Sequence, residues 1–163
     1  EENLQSIISK AEDIRMKREV EAASKTELIP GAKQALASLK GRGLKIALFT
    51  YNNKRAAEIA LAKHGLTECF DLIMSRDMVP KPKPDPAHLC AILDKLKLRK
   101  DEVLVVGDSE MDIKPSKELG VKVVAITTGI RSKDELLPYS PDHIISDLSK
   151  LNGIVERRMK ATG

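Results

Sequence analysis

A doubly wound α/β fold around a three-layer parallel sheet is what this sequence predicts, and three observations carry the prediction. Short apolar runs rich in Val and Ile recur at 45–50, 70–74, 103–106 and 121–126, each stopped by polar or glycine residues. Segments of about ten to fifteen residues with helical spacing alternate with them, the pattern of βαβ units. Third, the run Val103-Leu104-Val105-Val106-Gly107 leads directly into Asp108, with Asp112 four residues on. Four unbroken apolar residues read as a strand buried on both faces. Gly107 permits a sharp turn at its end. Asp108 then lies at the carboxyl edge of the sheet, where open α/β folds bind their ligands. The arrangement is Rossmann-like.

Each element has its own warrant. Leu4, Ile7, Ile8, Ala11 and Ile14 recur at helical spacing among charges, so residues 1 to about 24 read as a helix. Pro30 suits the first position of a second helix over about 31–41, with Ala32, Ala35, Leu36 and Leu39 on one side and Gly41 and Gly43 at its end. Lys45-Ile46-Ala47-Leu48-Phe49-Thr50 is the first strand. Asn52 and Asn53 can cap a helix over 54–63 that closes at Gly65. A second strand follows at 70–74. The prolines at 80, 82, 84 and 86 then forbid helix and central strand alike and impose a stiff, extended loop. Asp85 can cap the helix that Pro86 opens, running to about Lys97. The helix after Asp108 ends near Gly120, and Pro115 is expected to limit where it begins. Val121–Ile126 is a further strand, Thr127-Thr128-Gly129 a loop, Ile144-Ile145 a last short strand, and 147–160 a charged terminal helix.

Bulk properties bound the function. A length of 163 residues fits one domain, and 42% hydrophobic with 32% charged residues describes a globular protein able to bury a core. The net charge of +4 is spread without a basic tract, and 2% aromatic content argues against a nucleic-acid surface that stacks bases. A mildly positive protein still attracts small phosphorylated anions. Cys69 and Cys90 do not read as a disulfide framework, so reduced thiols and a cytoplasmic setting are expected. No apolar run is long enough to span a bilayer and no signal peptide is evident, so no membrane partner is expected.

Three chemical groups fall at one edge of such a sheet: the Thr50 hydroxyl, a lysine of the proline-rich loop, and Asp108. That set suits a phosphoryl group, with hydroxyl and backbone N–H donors on its oxygens, an ammonium against its charge, and carboxylate-held Mg²⁺. Asp108 could equally cap the next helix. Asp112 is better suited to orienting the site from behind than to direct ligation. His64, Cys69, His88 and Cys90 match no zinc spacing and read as helix termini and core.

At these residues the sequence resembles the haloacid dehalogenase superfamily of phosphohydrolases, close to phosphoglycolate phosphatase and β-phosphoglucomutase. The resemblance spans 29 to 149. Ala47-Leu48-Phe49-Thr50 matches the family's second motif, Lys81-Pro82-Lys83-Pro84-Asp85 its third, with Lys81 as the register lysine, and Gly107-Asp108 with Asp112 its fourth. It implies Mg²⁺-dependent hydrolysis of a small phosphorylated metabolite through an aspartyl-phosphate. Thr50 and Lys81 are the implied catalytic residues, and Thr50, Tyr51, Asn52 and Lys81 bind substrate. Asp108 is the implied metal ligand, with Asp112 behind it. Tyr51 stands where the family usually has Asn.

The family's first motif, Asp-x-Asp at the end of the first strand, occurs nowhere in the chain. That strand would lie between the ones ending at Thr50 and Asp108, and it carries the nucleophile. The sequence is therefore expected to be a fragment, with the central first strand missing, as its start at Glu1 rather than Met also suggests. Residues 1–28 are read as a helical remnant of a cap or linker, and 29–163 as the α/β core. Taken alone, the chain is expected to be inactive as a phosphatase. A hydrolytic dehalogenase of the same fold and a non-catalytic binding module are the alternatives.

Overall fold

A computed structural model describes residues 3–162. In chain order the elements are α1 (Leu4–Lys25), α2 (Ala32–Gly41), β1 (Ala47–Phe49), α3 (Lys54–His64), β2 (Leu72–Met74) and α4 (Pro86–Leu96). They continue with β3 (Leu104–Gly107), α5 (Glu110–Leu119), β4 (Lys122–Ile126), α6 (Lys133–Leu136), β5 (His143–Ile145) and α7 (Leu151–Thr162). Single turns of 3₁₀-helix fill several of the connections.

Side-chain caps start most of the helices, because the first turn of a helix leaves backbone N–H groups without partners. Asn3 accepts from the Ser6 N–H at 2.9 Å, Asn53 from Ala56 at 2.9 Å and Asp85 from Ala87 at 2.9 Å. Ser109 with Asp112, and Ser132 with Glu135, form reciprocal capping boxes for α5 and α6. The second box explains α6, which lies between the loop expected at 127–129 and the strand expected at 144–145. Pro115 does not delay α5: it lies inside the helix, five residues past its start. The Ser109–Asp112 box nucleates the helix, and burial of Ile113, Pro115 and Ser116 outweighs the one backbone hydrogen bond that proline cannot donate.

All strand pairs are parallel, but the sheet is in two pieces. β2 and β1 form one, and β3-β4-β5 form the other. Alternating side chains of β4 reach both layers. Val123 and Ala125 join Met74, Leu89, Val105, Ile113 and Leu136 on the α4–α5 side. Val124 and Ile126 join Ala35, Ile145, Leu151 and Val155 on the α2–α7 side. Both faces of β4 are therefore core, which is why its sequence is apolar without alternation.

α1 packs against α3. Its attachment is chiefly polar, since Ala23 is its only buried residue and Leu4, Ile7, Ile8 and Ile14 are exposed. Glu19 supplies the anchor. It pairs with the Arg76 guanidinium at 2.5 Å and accepts from the backbone and side-chain N–H groups of Asn53 at 2.8 and 2.6 Å. Burial pushes the Glu19 carboxyl up, but the hydrogen bonds from Asn53 and Arg76 outweigh it and hold the group below the usual carboxylate range.

Candidate functional site

The carboxyl ends of β1 and β3 are joined by one side chain, and it is Lys83. Its ammonium donates to the Phe49 carbonyl at 3.0 Å, where β1 ends, and to Asp112 Oδ1 at 2.5 Å, in the first turn after β3. It also sits 4.6 Å from the centre of the Phe49 ring. Lys83 is held from its backbone as well: its N–H donates to His88 Nδ1 at 3.1 Å, and His88 Nε2 lies 3.2 Å from the Met74 carbonyl. That pattern specifies the neutral imidazole with its proton on Nε2. Burial lowers the His88 pKa, the Met74 carbonyl opposes this, and the nearby Lys83 charge lowers it further.

The expectation placed Lys81 here. Lys81 is exposed, and no side-chain partner is found for it among the described residues. Lys83, two residues on, is buried. Both lysines precede a proline, and the spacing to Asp85 that favoured Lys81 does not decide which side chain turns inward. The path of the loop does, because Asp85 caps α4 and His88 in the first turn of α4 fixes the Lys83 backbone.

Asp112 is fully committed. Oδ1 takes Lys83, and Oδ2 accepts from the Asp108 and Ser109 N–H groups, each at 3.3 Å, and from the Ser109 hydroxyl at 3.0 Å. It turns to Lys83 and the Asp108–Ser109 backbone, and it makes no bond to Lys81. Asp108 stands in front. Its Oδ2 accepts from the Ile130 N–H at 3.0 Å, and Oδ1 accepts no hydrogen bond among the described residues. Two glycines make room for this pair: a Cβ at Gly107 would overlap the Asp112 side chain, and one at Gly129 would overlap that of Asp108. Gly129 and Ile130 were legible only as a turn after β4.

Thr50 follows β1. Its N–H donates to the Met74 carbonyl at 3.1 Å, and its hydroxyl oxygen accepts from the Asn52 N–H at 3.1 Å. Tyr51 and Asn52 are exposed, with the Arg15 guanidinium of α1 5.1 Å from the Tyr51 ring centre. Asn53 is the buried member of the turn and caps α3.

The donor set at the edge suits a hard cation only in part. Asp108 presents one uncommitted carboxylate oxygen, and Asp112 has none to give. Among the described residues no group of three or more His, Cys, Asp or Glu could hold a metal ion. Mg²⁺ retains waters and takes one or two carboxylates together with phosphate oxygens, so the chemistry of Asp108 suits a single carboxylate ligand of such an ion. His88, which also stood in the sequence near two cysteines, is a core residue; Cys69 and Cys90 are free thiols. No described helix is long and apolar enough to cross a membrane.

Residues 2–126 match the family model for haloacid dehalogenase-like hydrolases. A pyrophosphatase PpaX from Halalkalibacterium halodurans is 32% identical over 125 residues, covering 77% of this chain and 58% of that protein. A phosphoglycolate phosphatase from Cereibacter sphaeroides is 37% identical over 113 residues, covering 69% of this chain and 51% of the relative. The chain thus spans little more than half the length of these curated relatives. The crystal structure of a predicted phosphoglycolate phosphatase from Haemophilus somnus 129pt superposes with a TM-score of 0.76 at 28% identity, over 79% of this chain and 57% of that one.

Proposed function

This chain belongs to the haloacid dehalogenase-like hydrolases, and on that premise we propose that it forms most of the core of a Mg²⁺-dependent phosphatase acting on a small phosphomonoester. The observation that carries the reading is the Lys83 ammonium, held between the Phe49 carbonyl and Asp112 with Asp108 in front. A buried ammonium at the carboxyl edge of a parallel sheet, with two of its three N–H donors held by Phe49 and Asp112, keeps the third for an anionic oxygen.

In this reading the Thr50 hydroxyl and the Tyr51 N–H donate to phosphoryl oxygens, and Tyr51 and Asn52 border the substrate. Lys83 takes the role that the sequence assigned to Lys81, neutralising charge on the phosphoryl group and its nucleophile. Asp112 orients Lys83 and the Asp108 turn. Asp108 would hold Mg²⁺, which would neutralise phosphoryl charge and orient the group for in-line attack. The nucleophilic aspartate, which would form the aspartyl-phosphate, comes from a segment outside these residues. Residues 1–28 then border the site as a cap remnant, and the setting is cytoplasmic. The phosphatase relatives support the reaction class; their own substrates are pyrophosphate and phosphoglycolate by name.

The test is phosphate release from p-nitrophenyl phosphate by this chain joined to the upstream portion of a relative. Mg²⁺-dependent turnover that K83A and D108N each lower at least about 100-fold is expected. Metal-independent dehalogenation by the same protein, or turnover that survives K83A, would overturn the reading.

A further inference from the structure

The turn that follows Thr50 is held from outside itself. The Thr50 N–H donates to the Met74 carbonyl, and the Asn52 carbonyl accepts from the Arg76 N–H at 3.3 Å. Arg76 Nη1 lies 3.5 Å from the Tyr51 carbonyl. Asn53 donates its backbone and side-chain N–H groups to Glu19, and the Lys54 N–H donates to Asp77 at 3.0 Å. Of the backbone N–H groups of residues 50–54, that of Tyr51 alone has no partner among the described residues. The Thr50 hydroxyl oxygen accepts from the Asn52 N–H, which leaves its hydrogen free to donate. The turn thus keeps two adjacent donors open and commits its other N–H groups.

Glu19 on α1 and Arg76 after β2 close a ring around that turn. Arg76 reaches the Tyr51 and Asn52 carbonyls, Glu19 takes the Asn53 N–H groups, and Arg76 Nη1 donates to Glu19 Oε1 at 2.7 Å. Both side chains are shielded, at 15% and 9% exposure, so the pair is little weakened by solvent. A carboxylate three residues from an anion-binding hydroxyl would repel the ligand. The Arg76 and Arg15 guanidinium groups, both bonded to Glu19, offset that charge. Fastening α1 to the core would require a bond to any core group, yet these bonds converge on one turn. We propose that Glu19 and Arg76 are positioning residues for phosphoryl binding, fixing residues 51–53 so that the Thr50 hydroxyl and the Tyr51 N–H meet phosphoryl oxygens without reorganising. The proposal rests on the role given to Thr50 above and adds to it two residues that do not touch the substrate.

The test uses the joined protein described above with p-nitrophenyl phosphate and Mg²⁺, at a temperature where circular dichroism shows each variant folded. E19Q keeps an acceptor beside Asn53 but removes the charge, and it should lower kcat/KM at least about tenfold. In the T50V background the same change should lower kcat/KM no more than about threefold, because the hydroxyl it positions is already gone. A merely structural role would lower both by the same factor. E19Q/R76M removes both charges together, so that neither is stranded, and should stay folded yet keep a loss of about tenfold. Hydrogen exchange at the Asn52 N–H, whose one partner among the described residues is Thr50, should speed at least about tenfold in E19Q while the β4 amides keep their rates. Equal losses with and without T50V, full activity of E19Q/R76M, or unchanged exchange at Asn52 would overturn the inference. Turnover that E19Q leaves intact removes this inference alone. Absence of turnover from the unaltered joined protein removes the functional reading and this inference with it.

Discussion

Replacing Lys83 with Met keeps the aliphatic stem and removes the ammonium. The Lys83–Asp112 side chains are only 10% and 6% exposed, so solvent screens the pair little. An exposed ion pair contributes about 0–1 kcal/mol, but stripping one partner from a buried one costs about 3–5 kcal/mol, because the survivor keeps its desolvation without its counter-charge. The Phe49 carbonyl also loses its 3.0 Å donor. K83M should therefore lose about 4 kcal/mol in urea unfolding at pH 7. Adding D112N removes the stranded charge and should restore at least half of the loss, leaving about 1–2 kcal/mol for the weakened cap and the Phe49 carbonyl. K81M, at an exposed position, should stay within about 0.5 kcal/mol of the unaltered protein. A K83M loss below 1 kcal/mol, or a K81M loss of equal size, would refute the assignment of the buried cation to Lys83.

Three further outcomes follow from the same geometry. His88 has a lowered folded pKa, so the unfolded chain binds more protons near pH 6; stability should be whole above the unfolded value of about 6.5 and fall by up to about 1.4 kcal/mol per pH unit below it, until the folded value is reached. H88Q should remove that contribution, and parallel pH profiles for the two proteins would contradict it. G129A places a methyl group against Asp108 and should cost about 1–3 kcal/mol in thermal or urea unfolding, whereas G41A, with open space around it, should cost nothing. E19Q leaves the buried Arg76 guanidinium short of its main partner and should free α1 from the core, seen as several-fold faster proteolysis within 26–30 and a stability loss of about 3 kcal/mol.

The sequence by itself determined the alternation of helices and parallel strands, because apolar runs without alternation can be satisfied only by burial on both faces, and β4 shows that outcome. It also determined the turn at Gly107 and the placement of Asp108 in front of Asp112, since four residues of separation across a capped helix start leave little freedom. It narrowed the site lysine to a proline-rich stretch, but the family register pointed to Lys81, the wrong one of two. Two Lys-Pro pairs carry the same local signal, and only the path of the loop, set by Asp85 and His88 at the start of α4, decided that Lys83 points inward. The tertiary structure alone decided the Glu19–Arg76–Asn53 anchor, whose members are 34 and 57 positions apart from Glu19 and leave no local pattern. It also decided which strand edges stay unpaired among the described residues. Backbone edges are satisfied or left open by neighbours in space, and the open edges of β1 and β3 came into view only when the sheet was assembled around them.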